Sequence, residues 1–269
     1  MAFLAPTDRL APFVWRFNAY AERDTRFARR RELPQGLATL VFNLGAKLRV
    51  EHPAETRMAY PAGAAFFAGL SRTYAVTETD RAQEGAQIML TPLGARRLLG
   101  FPLGEVGDRL IDPAEFLGTA ARETIERLQE ASSQTGRLAV LERAMERMLA
   151  DADRSLPRDL VWALQRLQGS CGRIGVATLA GQLGCSRKHL SVRFRREFGM
   201  PPKLFARVLR FDHALRMLRC EPVASWAGLA DACGYADQAH LARDFREFGG
   251  SPPTAFLCRR LPDEGGFVD

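Results

Sequence analysis

Between residues 176 and 199 the apolar positions fall three and four apart, in two runs. Val176, Leu179, Ala180 and Leu183 form one helical face, and Leu190, Phe194 and Phe198 form a second at i, i+4 and i+8. Gly184 lies between them and tolerates the left-handed backbone that stops the first run. Ser186 supplies an N-cap oxygen for the second. Arg187, Lys188, Ser191, Arg195 and Arg196 are left on the outer face. A basic, outward-facing second helix after a tight turn predicts a helix-turn-helix whose second helix enters a major groove.

The same pattern returns at residues 225–250. Leu179-Ala180 matches Leu229-Ala230, Gly184 matches Gly234, Leu190 matches Leu241, Phe194 matches Phe245, and Gly199 matches Gly250. Pro201-Pro202 matches Pro252-Pro253, with an offset of 50 at the glycines and 51 from the leucines onward. The repeat is an internal duplication with one extra residue in its second turn. Between the copies, residues 202–219 carry a stripe of Leu204, Val208, Phe211, Leu215 and Leu218 behind a first-turn proline. A helix of that length spans about 27 Å.

Ahead of the duplication the pattern changes. Short apolar runs at residues 12–19, 37–44, 47–50, 57–60, 64–69, 73–77 and 86–90 are separated by turn residues such as Pro34-Gln35-Gly36 and Pro61-Ala62-Gly63. They predict a β-sandwich or barrel. Helical spacing then takes over. A short helix is expected at 93–99 and an irregular connection at 102–113; a second helix at 115–130 would face Phe116, Ala120, Ile125 and Leu128 inward. A break at 132–136 precedes a third helix at 137–150, whose apolar face fits either a partner subunit or the chain's own barrel. Asp151-Ala152-Asp153 and Pro157 mark a hinge before residues 157–168 open the DNA-binding unit.

Charge sharpens this division. Residues 158–260 hold 17 Lys and Arg against 8 Asp and Glu, whereas the remainder holds 21 against 23. The net charge of +7 therefore belongs to the duplicated part, as expected of a phosphate-binding surface. Arg29-Arg30-Arg31 could touch DNA but reads mainly as a solvated loop. There is no signal-like start and no stretch of 18 apolar residues, so a cytoplasmic protein without a membrane span is expected.

The five cysteines, Cys171, Cys185, Cys220, Cys233 and Cys258, form no C-x-x-C pair and read as reduced core residues. His52 is the one histidine in residues 1–188 and sits in a turn beside Glu51 and Pro53. That is too little for a metal-dependent barrel enzyme. With no nucleophile elbow or phosphate-binding loop either, no enzyme, cofactor or metal is expected. For a ligand cavity the strand residues Trp15, Phe17, Phe42, Phe66, Phe67 and Tyr74 are candidates, with Arg16 or Arg72 for an anionic group.

Leu179-Ala180, Gly184-Cys185-Ser186, Leu190, Phe194, Gly199, Pro202, Gly234-Tyr235, Asp237-Gln238, Phe245, Gly250 and Pro253 together resemble the AraC/XylS family of transcription regulators over roughly residues 157–260. Some DNA-repair methyl acceptors carry the same unit behind a zinc-bound cysteine cluster, but residues 1–170 contain no cysteine. The N-terminal part is similar, more loosely, to the cupin-like domain of one AraC-type branch. This likeness rests on Leu33-Pro34-Gln35-Gly36, the run from Leu40 to Gly45, Phe67-Ala68-Gly69-Leu70, Thr91-Pro92-Leu93-Gly94-Ala95 and Leu98-Leu99-Gly100.

The resemblance implies an α+β protein: a cupin-like sensor or dimerisation domain at 1–113, a helical linker or dimerisation region at 114–156, a double helix-turn-helix at 157–260, and an acidic tail at 261–269. Two reading helices, 186–198 and 237–248, would enter successive major grooves. Implied partners are double-stranded DNA, a small-molecule effector, a second copy of the chain, and RNA polymerase for an activator. In the alternative reading the barrel only dimerises or binds a partner protein, and DNA binding is constitutive.

Position by position, the resemblance assigns base contacts to Lys188, Ser191 and Val192. Many relatives carry a long polar residue where Val192 stands, so Arg193 is a further candidate. In the second motif the corresponding sites are Gln238, Ala239, His240 and Arg243. Lys188 and Arg243 suit guanine, Gln238 adenine, and Val192 a thymine methyl. His240 could instead bond a phosphate or cap its helix, and Arg243 could pair with Asp244 or Glu247. Arg187, Arg195, Arg196 and Arg246 fit phosphate contacts, which fix register without reading sequence.

Overall fold

The computed structural model describes residues 1–22, 29–51, 57–80, 82–107, 109–150, 156–220, 225–257 and 267–268. The strands are β1 (Ala2–Leu4), β2 (Val14–Glu22), β3 (Arg29–Glu32), β4 (Ala38–Asn43), β5 (Leu48–Glu51), β6 (Met58–Tyr60), β7 (Ala64–Ala68), β8 (Ala75–Thr79), β9 (Gln83–Leu90), β10 (Leu110–Ile111) and β11 (Phe267–Val268). The first helices are α1 (Pro92–Leu99), α2 (Leu103–Val106), α3 (Ala114–Leu117), α4 (Thr119–Glu130) and α5 (Gln134–Ala150). The helical domain holds α6 (Arg158–Gly169), α7 (Val176–Gln182), α8 (Arg187–Phe198), α9 (Pro202–Cys220), α10 (Trp226–Ala232), α11 (Gln238–Gly249) and α12 (Pro253–Leu257).

The fold is the mixed α+β architecture expected. Two antiparallel sheets face each other, one ordered β1-β2-β9-β4-β7-β10 and the other β11-β3-β8-β5-β6. In β2, alternate side chains go to opposite faces. Phe17 and Ala19 are buried in the main core with Leu128, Leu141 and Met145 of α4 and α5, whereas Arg16, Asn18, Tyr20 and Glu22 face the other sheet. The six-stranded sheet is thus the middle layer, with helices on one face and the second sheet on the other.

Three sequence expectations change here. Arg29-Arg30-Arg31 is strand β3 rather than a loop, because each arginine has a partner: Arg29 pairs with Glu51 and Glu78, Arg30 with Glu22, and Arg31 with the Gly249 carbonyl. The irregular connection at 102–113 contains α2 and β10, the latter pairing with β7. The expected helix at 115–130 breaks at Gly118, and this turns the buried face to Ala121, Thr124 and Leu128. Of the two alternatives for the helix expected at 137–150, α5 buries its apolar face on the chain's own core.

In the helical domain α9 is the brace. Phe205 packs on Phe194 of α8 with ring centroids 6.0 Å apart, and Phe211 meets Phe245 and Phe248 of α11 at 5.0 and 5.4 Å. Phe205 and Phe211, about 120° apart around α9, thereby hold one motif on each of two sides of a single helix. Asp212 on α9 bonds Arg216 at 3.2 Å, but burial outweighs Arg216 and Arg219 and raises its carboxyl to about 6. A raised carboxyl contributes stability while protonated and loses it as pH rises through its folded value. Asp212→Asn is therefore expected to stabilise the protein by roughly 1–3 kcal/mol at about pH 7.5 and to change little at about pH 4. Urea titrations at both pH values would check this, and a loss of stability at the higher pH would contradict it.

The two domains share one continuous core. Along their seam the N-terminal domain grips the C-terminal ends of both second helices. Arg72 Nη2 donates to the Gly199 carbonyl after α8 at 3.2 Å, and Arg31 Nη1 donates to the Gly249 carbonyl of α11 at 2.9 Å. The Thr73 hydroxyl donates to the Glu247 carbonyl at 3.0 Å. Cations and donors suit the negative end of a helix dipole. Arg96 Nε meets Glu197 Oε2 at 2.9 Å with both side chains largely buried.

Candidate nucleic-acid interface and inter-sheet cavity

Each second helix opens on a side-chain cap. Ser186 accepts from the His189 amide at 3.1 Å, and Asp237 accepts from the His240 amide at 2.6 Å. The preceding turns place Gly184 at φ +63° and Gly234 at φ +75°, left-handed values that disfavour a Cβ. Leu190, Phe194 and Phe198 of α8 and Leu241, Phe245 and Phe248 of α11 are buried, which fixes the outward faces.

On α8, Arg187, Lys188, Val192, Arg195 and Arg196 are exposed and Ser191 is half-buried. Val192 is 61% exposed, a bare apolar side chain on a basic face, as a thymine-methyl contact requires. Arg195 and Arg196 lie where α8 meets the seam: a Cβ on Gly104 of α2 would stand 2.9 and 2.6 Å from their carbonyls. On α11, Gln238, Ala239, Arg243 and Arg246 are exposed. His240 is half-buried, its ring edge-on to Tyr235 at 5.2 Å.

Arg193 has a partner within the domain. Its guanidinium forks onto Asp159 of α6, with Nη2 to Oδ1 at 3.0 Å and Nη1 to Oδ2. That hydrogen bond holds the Asp159 carboxyl below its usual range. Asp159 thus engages one donor on each Nη of Arg193, while the side chain keeps 36% exposure on the α8 surface. Arg243 differs, because both acids it could have paired with belong to Arg207. Arg207 Nη2 reaches Asp244 Oδ1 at 2.6 Å and Glu247 Oε2 at 2.5 Å. Among the described residues Arg243 has no ion-pair partner.

A cavity of about 210 Å³ lies between the two sheets. Its apolar end is Val41, Leu48, Val50 and Phe66. The other end is polar, built from Arg16, Asn18, Tyr20 and Glu22 on β2 with Arg30 and Glu32 on β3. Asn18 is 1% exposed; its Oδ1 has no hydrogen-bond partner and its Nδ2 reaches only Met89 Sδ at 3.5 Å. A buried carboxamide so poorly satisfied is costly unless something else bonds it. Glu32 lines the cavity and keeps accessible surface, and the Thr77 hydroxyl donates to it; desolvation by the cavity wall shifts its carboxyl upward.

Of the cavity residues suggested by sequence, Arg16 and Phe66 line it. Phe17, Phe42 and Phe67 face the helices, Trp15 is exposed, Tyr74 lies under Arg31, and Arg72 is on the seam. The missed residues had a signal, since Asn18, Tyr20 and Glu22 follow Arg16 in strict alternation along β2. His52 and Cys258 lie outside the described residues. Cys171, Cys185 and Cys233 are free thiols, and burial pushes that of Cys233 up to about 11. Among the described residues no three His, Cys, Asp or Glu side chains cluster as metal ligands, and no helix is long and apolar enough to cross a membrane.

Two capped helix-turn-helix units on one brace, the first with a strongly basic second helix and the second with Arg243 and Arg246 exposed, define a DNA-binding protein. A helix-turn-helix domain model matches residues 179–259, and a domain of unknown function (DUF6597) matches residues 2–112. No curated protein matches the chain. The fold is similar to that of ToxT from Vibrio cholerae, at 12% identity and TM-score 0.52 over 90% of this chain and 98% of that one. Wild-type ToxT bound to unsaturated fatty acid gives 10% identity and TM-score 0.51 over 90% and 94%. Residues 179–259 thus carry a domain of the helix-turn-helix family, and the chain as a whole shares the fold of these solved structures.

Proposed function

We propose that this chain is an AraC-type transcription regulator that reads two successive major grooves with α8 and α11, and that a small effector held between the two sheets controls the reading. Lys188, Ser191 and Val192 meet bases in the first groove, and Gln238, Ala239, His240 and Arg243 in the second. Arg187, Arg195, Arg196 and Arg246 meet phosphates. Residues 1–113 with the following helices sense, and residues 157–260 read; a second copy of the chain is the natural partner for a repeated operator.

One observation carries the effector reading: the cavity and the domain seam are two faces of the same strand. Arg30 and Glu32 of β3 line the cavity, while Arg31 between them bonds the Gly249 carbonyl of α11. The next wall repeats this, because Ser71 and Ala75 line the cavity whereas Arg72 and Thr73 bond the ends of α8 and α11. A ligand that shifts either wall therefore shifts a contact to a reading helix, which is the differential interaction that control requires. ToxT structures with an unsaturated fatty acid and with (E)-4-(8-methylnaphthalen-1-yl)but-3-enoic acid support a ligand-binding role for this fold.

Selection of bound fragments from a random duplex pool by the full-length protein tests the reading of DNA. Two conserved blocks about one helical turn apart are expected; no selected sequence, with or without cell extract, would refute it. A metabolite panel in thermal shift tests the sensor, since a ligand at about 100 times its Kd adds about 2.7 kcal/mol. Arg243→Ala should weaken the cognate site by about 1–3 kcal/mol and random DNA far less. Arg196→Ala should weaken both alike and lower the salt slope by about one unit. Equal losses on both DNAs for Arg243→Ala would remove it from the base readers.

A further inference from the structure

An open groove of about 680 Å³ lies beside the outward face of α8, between the start of α7 and the first half of α9. Its lining includes Arg173, Arg187, Lys188, Lys203 and Arg210 and no carboxylate. This differs from the rest of the helical domain, where cations that face another element are neutralised: Arg193 by Asp159, and Arg207 by Asp244 and Glu247. Arg210 Nη1 donates to the Gly172 carbonyl at 2.7 Å, while its buried Nε has no partner. Arg173 reaches across to the second motif, its Cγ so near the turn that a Cβ on Gly234 would stand 2.8 Å away. The groove therefore belongs to neither motif alone but to the ground between them.

We propose that this groove holds a backbone phosphate of the DNA between the two major grooves, clamped by Arg173 and Lys203. The inference rests on the paired-groove reading above. A duplex read by two helices one turn apart turns its minor groove, and the phosphates flanking it, toward the protein midway. A phosphodiester offers oxygens to several donors at once, which suits a guanidinium and an ammonium converging on a site without acids. Such a contact sets the register between the two helices without reading sequence.

The test uses full-length protein, its selected site and a random duplex. Arg173→Gln with Lys203→Gln is expected to weaken both DNAs by the same factor. It should also lower the slope of log affinity against log salt by about 0.9 per contact, so that the loss relative to wild type shrinks about 3-fold per contact from 50 to 200 mM salt. Neutral methylphosphonate linkages are then placed one at a time between the two sequence blocks. One of them should weaken wild type and leave the double variant unaffected. An unchanged slope, or linkages that cost both proteins equally, would overturn the clamp. If the double variant fails to fold, the exposed Lys203→Gln alone must still lower the slope by about 0.9. Wild-type selection is measured first, so failure of paired reading shows there, separately from failure of the clamp.

Discussion

Arg207→Met is expected to destabilise the protein by about 3–5 kcal/mol, the cost of leaving a buried charge without its partner. Asp244 is 0% exposed, and Arg207 Nε and Nη2 reach its Oδ1 at 3.1 and 2.6 Å. Burial works against the Arg207 charge, but Glu247 and Asp244 more than offset it and hold the guanidinium above its ordinary range. Methionine keeps an unbranched apolar stem, so the change removes the guanidinium, both its charge and its place over the Phe248 ring at 4.9 Å. Adding Asp244→Asn should recover most of the loss, because a neutral amide no longer demands a cation. Urea unfolding of the three proteins reads the cycle. A loss under about 1 kcal/mol would mean that the pair behaves like a surface bridge.

The same pair shows what the sequence could and could not reveal. Helix starts, turns and buried faces in both motifs were legible because their causes are local: Ser186 and Asp237 cap within three residues, and the apolar spacing sits on one helix. Asp244 was not legible as a buried acid. It stands between Arg243 and Phe245, and its partner lies 37 residues away on the brace. For the same reason the partner of Arg193, Asp159, was not legible.

Strand β3 failed for a second reason. Three successive arginines carry no apolar alternation, and only the acids on β5, β8 and β2, with the Gly249 carbonyl, make that strand tenable. The cavity was half legible. Aromatic residues drew attention on the strands, but inward and outward positions could be assigned only once it was known that helices cover one face of the six-stranded sheet. The polar positions of β2 then became the cavity wall, and Phe17 became core.

Behind α8 stands the counterpart of the Arg207 pair, and it joins the two domains. Arg96 of α1 and Glu197 of α8 are 9% and 13% exposed and 101 residues apart in sequence. Arg96→Met would leave the Glu197 carboxylate buried near the C-terminal end of α8, where the helix dipole is also negative. A cost of about 3–5 kcal/mol is expected, and it should fall on the seam. The wild type, with one continuous core, should melt in a single calorimetric transition, whereas the variant should show the helical domain separating first. Amides of α8 near Phe198 should lose hydrogen-exchange protection before those of α5. Glu197→Gln in the Arg96→Met background should restore most of the stability, because the carboxamide can be buried neutral. If the double variant is as unstable as Arg96→Met, the loss comes from packing around Arg96 and not from a stranded charge. If wild type already melts in two steps, the seam is too weak to carry a signal from the cavity to the reading helices, and control by a ligand between the sheets would need another route.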